Sequence, residues 1–243
     1  MTTPDSNRLF QALDATWPAA GFSRTGPWII RKGDGGGQRV SAATSIADIG
    51  NGDITAAEFE MAALLQPPIF MIRPNDDALD QALDDRGYCI VDPVAVYSIE
   101  INALSETPAP ATMLPTWPPL AIQTEIWAAG GVLAPRWNVM KRAKGPKTTI
   151  IGRYQDRPVG TVFVACHEDI AMVHALEILP EYRRHGTGRQ MMKAAAYWAA
   201  KTGARWMTLM VTRANDPANA LYRSLGMSEV AQYHYRRADK ADL

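Results

Sequence analysis

The sequence predicts an α/β fold, because segments typical of strands alternate with segments of helical periodicity. Residues 149–179 are typical of three strands joined by tight turns, and residues 188–204 are typical of a helix that follows a glycine-containing loop. Gly203 can end this helix. The apolar residues on one face of the helix are Met191, Met192, Ala195, Ala196 and Ala199.

Two earlier segments add further elements to this pattern. Residues 26–46 are typical of two strands joined by a glycine-rich turn. Residues 122–143 are typical of two helices, with a break at Gly130, Gly131 and Pro135.

An internal repeat is visible when residues 70–88 are laid over residues 210–227 with one residue inserted. Each copy has an apolar strand, then Arg-x-Asn-Asp, then a short amphipathic helix that ends at Gly87 or Gly226, and a second strand follows. Short apolar patterns recur widely, so chance similarity is the alternative. The shared Arg-x-Asn-Asp favours duplication.

The proline-rich segment ETPAPATMLPTWPP, residues 106–119, divides the two copies. Proline cannot continue a helix or donate to a sheet ladder, so this segment is interpreted as a stiff linker. We therefore predict an N-terminal domain at residues 1–106, a linker at 107–119 and a C-terminal domain at 120–243.

Charge and composition limit the partners. The chain has 25 Lys plus Arg and 25 Asp plus Glu, so neither nucleic acid nor a membrane surface is expected as a partner. Cys89 and Cys166 lie far apart, which indicates buried, reduced thiols, and the histidine spacing indicates no metal site. No signal-peptide core and no bilayer-length apolar run is present, which predicts a soluble, cytoplasmic protein.

The loop before the long helix has the composition of an anion-binding site. Arg183, Gly186 and Gly188 form Arg-x-x-Gly-x-Gly, with Arg184 and Arg189 nearby. A helix start offers unpaired N–H groups and a positive dipole end, and glycine lets a ligand approach the backbone. Arginines are poorly placed at a positive helix end unless an anion binds. Since both the Gly-Lys-Ser/Thr ending and Gly-x-Gly-x-x-Gly are missing, the loop is neither a P-loop nor a dinucleotide fingerprint.

Residues 118–243 resemble the GCN5-related N-acetyltransferase (GNAT) family. The stretch LEILPEYRRHGTGRQMM has the form of the family's acetyl-CoA motif, and NDPANALYRSLGM resembles its second signature. The matching positions of that signature are Asn215, Ala218, Leu221, Tyr222, Gly226 and Met227. The resemblance implies the acyl-CoA N-acyltransferase fold, a central mixed, mostly antiparallel sheet flanked by helices, here duplicated.

The resemblance also implies a cofactor site, with acetyl-CoA as the acetyl donor and no metal. Amides of residues 183–189 would hold the pyrophosphate, and a splayed strand end around residues 176–178 would bind the pantetheine arm. The implied cofactor-binding residues are Leu176, Ile178, Arg183, Arg184, His185, Gly186, Thr187, Gly188, Arg189 and Asn215.

Three residues are candidates for catalysis. By resemblance Tyr222 would protonate the leaving CoA thiolate, and a packing tyrosine is the alternative. Glu177 or His174 would take the proton of the acceptor amine. Strand alternation sends these two side chains to opposite faces unless the strand bulges, and Glu177 is favoured. An ion pair with an arginine is the alternative for Glu177, and a satisfied core histidine is the alternative for His174.

Two further expectations concern the acceptor side and the first half. Trp127, Trp137 and Met140 would border the acceptor cleft in the family, although core packing is the more frequent use of such residues. The first half has no Arg-x-x-Gly-x-Gly, has Leu83 where the second half has Tyr222, and is interpreted as a degenerate GNAT-like domain.

The expected activity is transfer of acetyl from acetyl-CoA to a primary amine by direct attack in a ternary complex, since no cysteine lies in the motifs. A non-catalytic acyl-CoA sensor and a protein or peptide N-terminal acetyltransferase are the alternatives. A homodimer is an open alternative for the assembly.

Overall fold

The computed structural model describes residues 3–50 and 53–238 of the chain. The helices are α1 (Ser6–Thr16), α2 (Asp53–Ala63), α3 (Asp77–Asp84), α4 (Ile101–Leu104), α5 (Ala121–Ala129), α6 (Ala134–Arg142), α7 (Thr187–Lys201) and α8 (Asp216–Ser224). The strands are β1 (Gly21–Thr25), β2 (Trp28–Lys32), β3 (Thr44–Ser45), β4 (Ile69–Ile72), β5 (Tyr88–Glu100), β6 (Met113–Thr116), β7 (Lys147–Tyr154), β8 (Arg157–His167), β9 (Ile170–Ile178), β10 (Trp206–Thr212) and β11 (Ser228–Ala238). The α/β expectation is confirmed.

The chain forms two compact units that are not continuous in sequence. The first comprises the described residues within Met1–Pro18, Val96–Val211 and Asn215–Val230. The second comprises those within Ala19–Ala95, Thr212–Ala214 and Ala231–Leu243. The division into an N-terminal domain at residues 1–106, a linker at 107–119 and a catalytic domain at 120–243 stays a prediction.

The sheet of the first unit has the strand order β5, β10, β9, β8, β7, β6. Strands β6 to β9 pair antiparallel, and β10 pairs with β9 in parallel. The predicted meander at residues 149–179 is therefore β7, β8 and β9. A mixed, mostly antiparallel sheet flanked by helices is confirmed.

Neighbouring residues on β8 show which helices cover each face of this sheet. A Cβ at Gly160 would lie 2.8 Å from Sδ of Met191 on α7. The next residue, Thr161, faces the other way and accepts a hydrogen bond from Nε2 of Gln123 on α5, at 3.2 Å. Helix α1 packs on β8 and β9, on the same face as α5. The functional face described below is the one that α1 and α5 cover.

The second unit contains the sheet β1–β2–β3 and the pair of β4 with β11. Its core includes Trp28, Met61 and Phe70, all fully buried. Leu83, which occupies the repeat position of Tyr222, is also fully buried in this core. A packing role therefore accounts for leucine there.

The repeated units predicted from sequence are both present as strand, helix, glycine and strand. They are β4–α3–β5 with φ +82° at Gly87, and β10–α8–β11 with φ +80° at Gly226. Their second strands are exchanged. In the second unit β11 pairs with β4, and in the first unit the end of β5 lies beside β10.

Two sequence expectations differ from the structure in detail. Four residues of the proline-rich segment form β6, where Pro115 is tolerated because β6 is the edge strand of its sheet. Both cysteines are free, but Cys89 is exposed, so the expectation that both thiols are buried is wrong for this one. Cys89 lies on β5 at a position that faces away from the core. Within the described ranges, no helix combines the length and the apolarity needed to cross a membrane.

Candidate active site

The loop that leads into α7 offers a run of unused backbone donors. A short 3₁₀ turn, Pro180–Tyr182, precedes it, and positive φ values at Arg184 (+69°) and Gly186 (+81°) turn the chain into the helix. Among the described residues, none accepts a hydrogen bond from the amide groups of residues 184–189. Such amides at a helix start can bind an anion.

Glycine is needed at the two positions of this loop for different structural reasons. Gly186 has a positive φ, and a Cβ there would meet nothing within 4 Å. A Cβ at Gly188 would lie 3.2 Å from Leu221 and 3.3 Å from Ile178. Glycine at 188 therefore lets α7 begin close against β9 and α8, whereas glycine at 186 leaves open space beside the backbone.

The basic and aromatic side chains of the loop have protein partners. Arg189 donates to Oγ of Ser224 at 2.8 Å. The ring of His185 stacks on Tyr154, with centroids 4.9 Å apart. Arg183 is half exposed and turns back to β9, as described below, while Arg184 is exposed. The guanidinium groups of Arg183 and Arg189 are therefore held in position beside the open amides by hydrogen bonds to the protein.

Strands β9 and β10 separate beside this loop. Their parallel pairing runs from Ile170 and Trp206 to Val173 and Leu209. Beyond these pairs β9 continues to Ile178 without β10 as its partner. The splay expected around Leu176 and Ile178 is present, and it leaves one edge of β9 open over those residues.

A bulge in β9 sets the direction of the candidate bases. His174 pairs with Phe163, and Glu177 pairs with Thr161, so three steps along β9 match two along β8. The extra residue in β9 is accommodated by Ala175, whose φ is +50°. Because Phe163 and Thr161 point to the same face, His174 and Glu177 do too. Strand alternation alone would send the two side chains to opposite faces, and the bulge in β9 is what brings them to the same one.

His174 is buried, with 4% of its surface exposed. Its Nε2 lies 2.9 Å from Oγ1 of Thr16, and its ring stacks on Trp17 with centroids 4.8 Å apart. The Thr16 hydroxyl donates its single proton to the carbonyl of Ala12 at 2.6 Å. Nε2 of His174 must therefore carry a hydrogen that it donates to Thr16. This setting matches the core-histidine alternative.

Glu177 lies at the splay with 18% of its side chain exposed. Oε1 accepts a hydrogen bond from the Arg183 guanidinium at 3.0 Å, and Nε of Arg183 donates to the carbonyl of Ile178 at 2.9 Å. The carboxylate thus forms the arginine pair that was the alternative to a catalytic role. The ion pair holds it beside the open edge of β9.

Tyr222 and Asn215 lie on and before α8. Tyr222 is buried, with its ring 6.0 Å from that of Tyr97, and this burial raises the pKa of Tyr222 above its ordinary value near 10. Oδ1 of Asn215 accepts from the amide of Ala218 at 3.2 Å and so caps α8. Asn215 is exposed, and its amide nitrogen is not needed for the cap.

The helices next to β9 carry structural contacts that sequence reasoning missed. Trp127 is fully buried, and its Nε1 donates to the carbonyl of Ala175 in the bulge at 2.8 Å. Met140 is fully buried, and Nε1 of Trp137 donates to the carbonyl of Val132. Trp127 and Met140 are core residues, as the alternative held. The break at Gly130 was visible in the sequence, but its closeness to Glu177 was not.

The described part of the chain contains no group of three or more His, Cys, Asp or Glu side chains that could hold a metal ion. The candidate site is thus made of open amides, a splayed strand and a few titratable side chains. Open amides at a helix start suit an anion such as a phosphate or pyrophosphate group.

Comparisons with known proteins show what the chain and its fold resemble. Residues 113–227 match the acetyltransferase (GNAT) family. An uncharacterized N-acetyltransferase of Bacillus subtilis, YobR, is 26% identical over 96% of this chain and 98% of its own length. A GCN5-related N-acetyltransferase from Kribbella flavida superposes with a TM-score of 0.72 at 20% identity, over 100% of both chains. A tandem GNAT protein from the clavulanic acid biosynthesis pathway gives a TM-score of 0.60 at 12% identity, over 93% of this chain and 86% of its own.

The fold is the acyl-CoA N-acyltransferase fold, and the family match together with the N-acetyltransferase relative indicates an acyltransferase. Residues 113–227 are similar to the GNAT family of acetyltransferases, a family that uses acetyl-CoA. The fold shared with a tandem GNAT protein supports the duplication inferred from the internal repeat.

Proposed function

We propose that this protein transfers the acetyl group of acetyl-CoA to a primary amine, by direct attack of the amine in a ternary complex. The observation that carries the proposal is the run of amides at residues 184–189 that have no acceptor among the described residues. These donors lie at the start of α7, where the helix dipole also favours an anion.

In this proposal the donor binds along the loop and the splay. The amides of residues 184–189 hold the pyrophosphate, whereas the amide of Arg183, also expected there, already donates to the carbonyl of Pro180. The guanidinium groups nearby add charge-assisted hydrogen bonds. The open edge of β9 at Leu176 and Ile178 receives the amide-containing arm, with Asn215 as a further contact. The thioester then lies beside Glu177.

The amine must be neutral to attack the thioester carbonyl carbon, and an alkyl ammonium has an ordinary pKa near 10. We assign the removal of its proton to Glu177, directly or through a water, since Glu177 lies at the splay. His174 is the second candidate, because the bulge directs it to the same face. The N–C bond forms, the C–S bond breaks, and the thiolate leaves.

Tyr222 is assigned to the leaving group. Burial raises the pKa of Tyr222, so the phenol stays protonated at neutral pH and can donate a hydrogen bond to the departing sulfur. Full proton transfer to a thiolate with an ordinary pKa of about 8.5 is uphill from such a phenol. Tyr222→Phe should therefore lower kcat while donor affinity is kept.

Calorimetric titration with acetyl-CoA tests the donor site. Gly186→Glu places bulk and negative charge beside the open amides and should abolish binding. Gly203→Glu is the matched control, because Gly203 has φ +88° and equally open space but lies at the other end of α7. Loss of binding in both variants, or in neither, would contradict the proposed loop.

A second candidate, a non-catalytic acyl-CoA sensor, is favoured by the ion pair of Glu177 with Arg183 and by the burial of Tyr222. A screen of small amines and of peptides with free N-termini for CoA release separates the candidates. Turnover with small amines supports the proposal, turnover with peptides alone identifies a protein or peptide N-terminal acetyltransferase, and binding without turnover identifies the sensor.

A further inference from the structure

Gly130 follows α5 directly, and its backbone does not require glycine. Its φ of −89° and ψ of 7° are those of the third residue of a type I turn, a conformation that residues with a side chain also adopt. A Cβ at this position would nevertheless lie 2.3 Å from both Cδ and Oε2 of Glu177, and 2.7 Å from its Cγ. The space that a side chain would fill at residue 130 is occupied by the end of the Glu177 side chain.

The two oxygens of the Glu177 carboxylate therefore have different neighbours. Oε1 accepts from the Arg183 guanidinium, and Oε2 lies over Gly130. The amide of Gly130 donates to the carbonyls of Ile126 and Trp127, which keeps this residue within the last turn of α5. The position of Gly130 is thus set by the helix and not by the carboxylate.

The same turn of α5 is anchored to the bulge that carries Glu177. Trp127 lies three residues before Gly130, on the same side of the helix, and its indole N–H donates to the carbonyl of Ala175. This hydrogen bond therefore fixes β9 against α5 close to the point where the Glu177 side chain reaches from β9 to Gly130. The adjacent glycine, Gly131, has φ +80° and a Cβ there would meet nothing within 4 Å, so it serves only the turn.

We infer that Gly130 is a positioning residue for the reaction: the missing side chain at this position lets the Glu177 carboxylate lie at the splay of β9. The inference rests on the proposed function, in which Glu177 takes the proton of the amine. It adds a requirement that the motifs of the family do not contain. A methyl group at residue 130 should displace the carboxylate and leave the amides of the loop untouched.

Gly130→Ala tests this requirement. The backbone accepts alanine, and the atoms in the way are the far end of a flexible side chain, so the variant should fold. We expect kcat to fall by at least about tenfold, since small displacements of a reacting group have large effects. The Kd and KM for acetyl-CoA should change much less than kcat, because the amides of residues 184–189 do not contact the carboxylate. Gly21→Ala is the control, because a Cβ at Gly21 meets nothing within 4 Å and its φ is not positive.

Two Glu177 variants keep the outcomes separate. Glu177→Asp shortens the side chain by one methylene, so in the Gly130→Ala background it should cost no further activity or restore part of it. If Glu177→Gln is inactive but Gly130→Ala has wild-type kcat, the role of Gly130 is refuted and the proposed base stands. If Glu177→Gln keeps full activity, the assignment of Glu177 fails, and the role of Gly130 with it.

Discussion

Replacing Trp127 by Phe tests the physical origin of the bulge. The change removes the indole N–H that donates to the carbonyl of Ala175, at 2.8 Å, from a side chain with no exposed surface. Phenylalanine keeps most of the apolar contact with the sheet. The perturbation is therefore directed at one hydrogen bond and at the small volume of the missing ring.

The expected magnitude follows from these two losses. The partly buried carbonyl of Ala175, left without its donor, costs about 1–3 kcal/mol, and the uncollapsed volume adds roughly 1 kcal/mol. The unfolding free energy should thus fall by about 2–4 kcal/mol, which lowers Tm by roughly 4–16 °C in a chain of this size. Loosening the bulge also moves His174 and Glu177 relative to each other, so kcat should fall on the order of tenfold.

The assay combines thermal unfolding with CoA release from acetyl-CoA and an amine found by screening. Trp137→Phe is the matched control, because its indole N–H also donates to a backbone carbonyl, at 2.9 Å, but in the turn between α5 and α6. Both variants should lose stability, and only Trp127→Phe should lose kcat when activity is corrected for the folded fraction. Equal kcat values would refute the link between this hydrogen bond and the position of the candidate bases.

Three further outcomes are expected. Since burial raises the pKa of Tyr222, the unfolded chain ionises first above about pH 10, so wild-type stability should fall there more steeply than that of Tyr222→Phe, measured by circular dichroism. Burial raises the pKa of Asp80, but hydrogen bonds from Arg236 and His234 lower it more, so the pKa is below its ordinary value. The ionised carboxylate of Asp80 therefore stabilises the folded state above about pH 4, and this contribution is lost as the pH falls. Asp80→Asn should cost about 1–3 kcal/mol at pH 7 and flatten the acid dependence of urea midpoints. Thr16→Val, which removes the acceptor of the His174 N–H, should cost about 1–3 kcal/mol and, if His174 takes part in proton transfer, change the pH profile of kcat.

The open loop before α7 and the repeat were accessible from sequence because both are local patterns. Arg-x-x-Gly-x-Gly before a helical run specifies open amides at a helix start, and the structure has them at residues 184–189. Strand, helix, glycine and strand were also readable twice, because glycine at positive φ ends α3 and α8 in both copies.

The geometry around Glu177 depended on contacts that no local pattern records. The bulge at Ala175 adds one residue to β9, and without it strand alternation separates His174 from Glu177. Its stabilising donor, Trp127, lies 48 residues away along the chain. Gly130 was visible only as a helix break, since its need for an empty Cβ position arises from Glu177 in another element.

The exchanged second strands have a consequence for synthesis on the ribosome. β4 pairs with β11 through Ile72 and His234, which lie about 160 residues apart, so at about 5–20 residues per second the partner emerges roughly 8–32 s later. During that interval β4 presents an unpaired edge, which can pair with other nascent chains. Helix α1, the first element made, likewise waits for β8 and β9. The yield of native protein should therefore depend on translation speed and chaperone supply more than on the final stability of either unit.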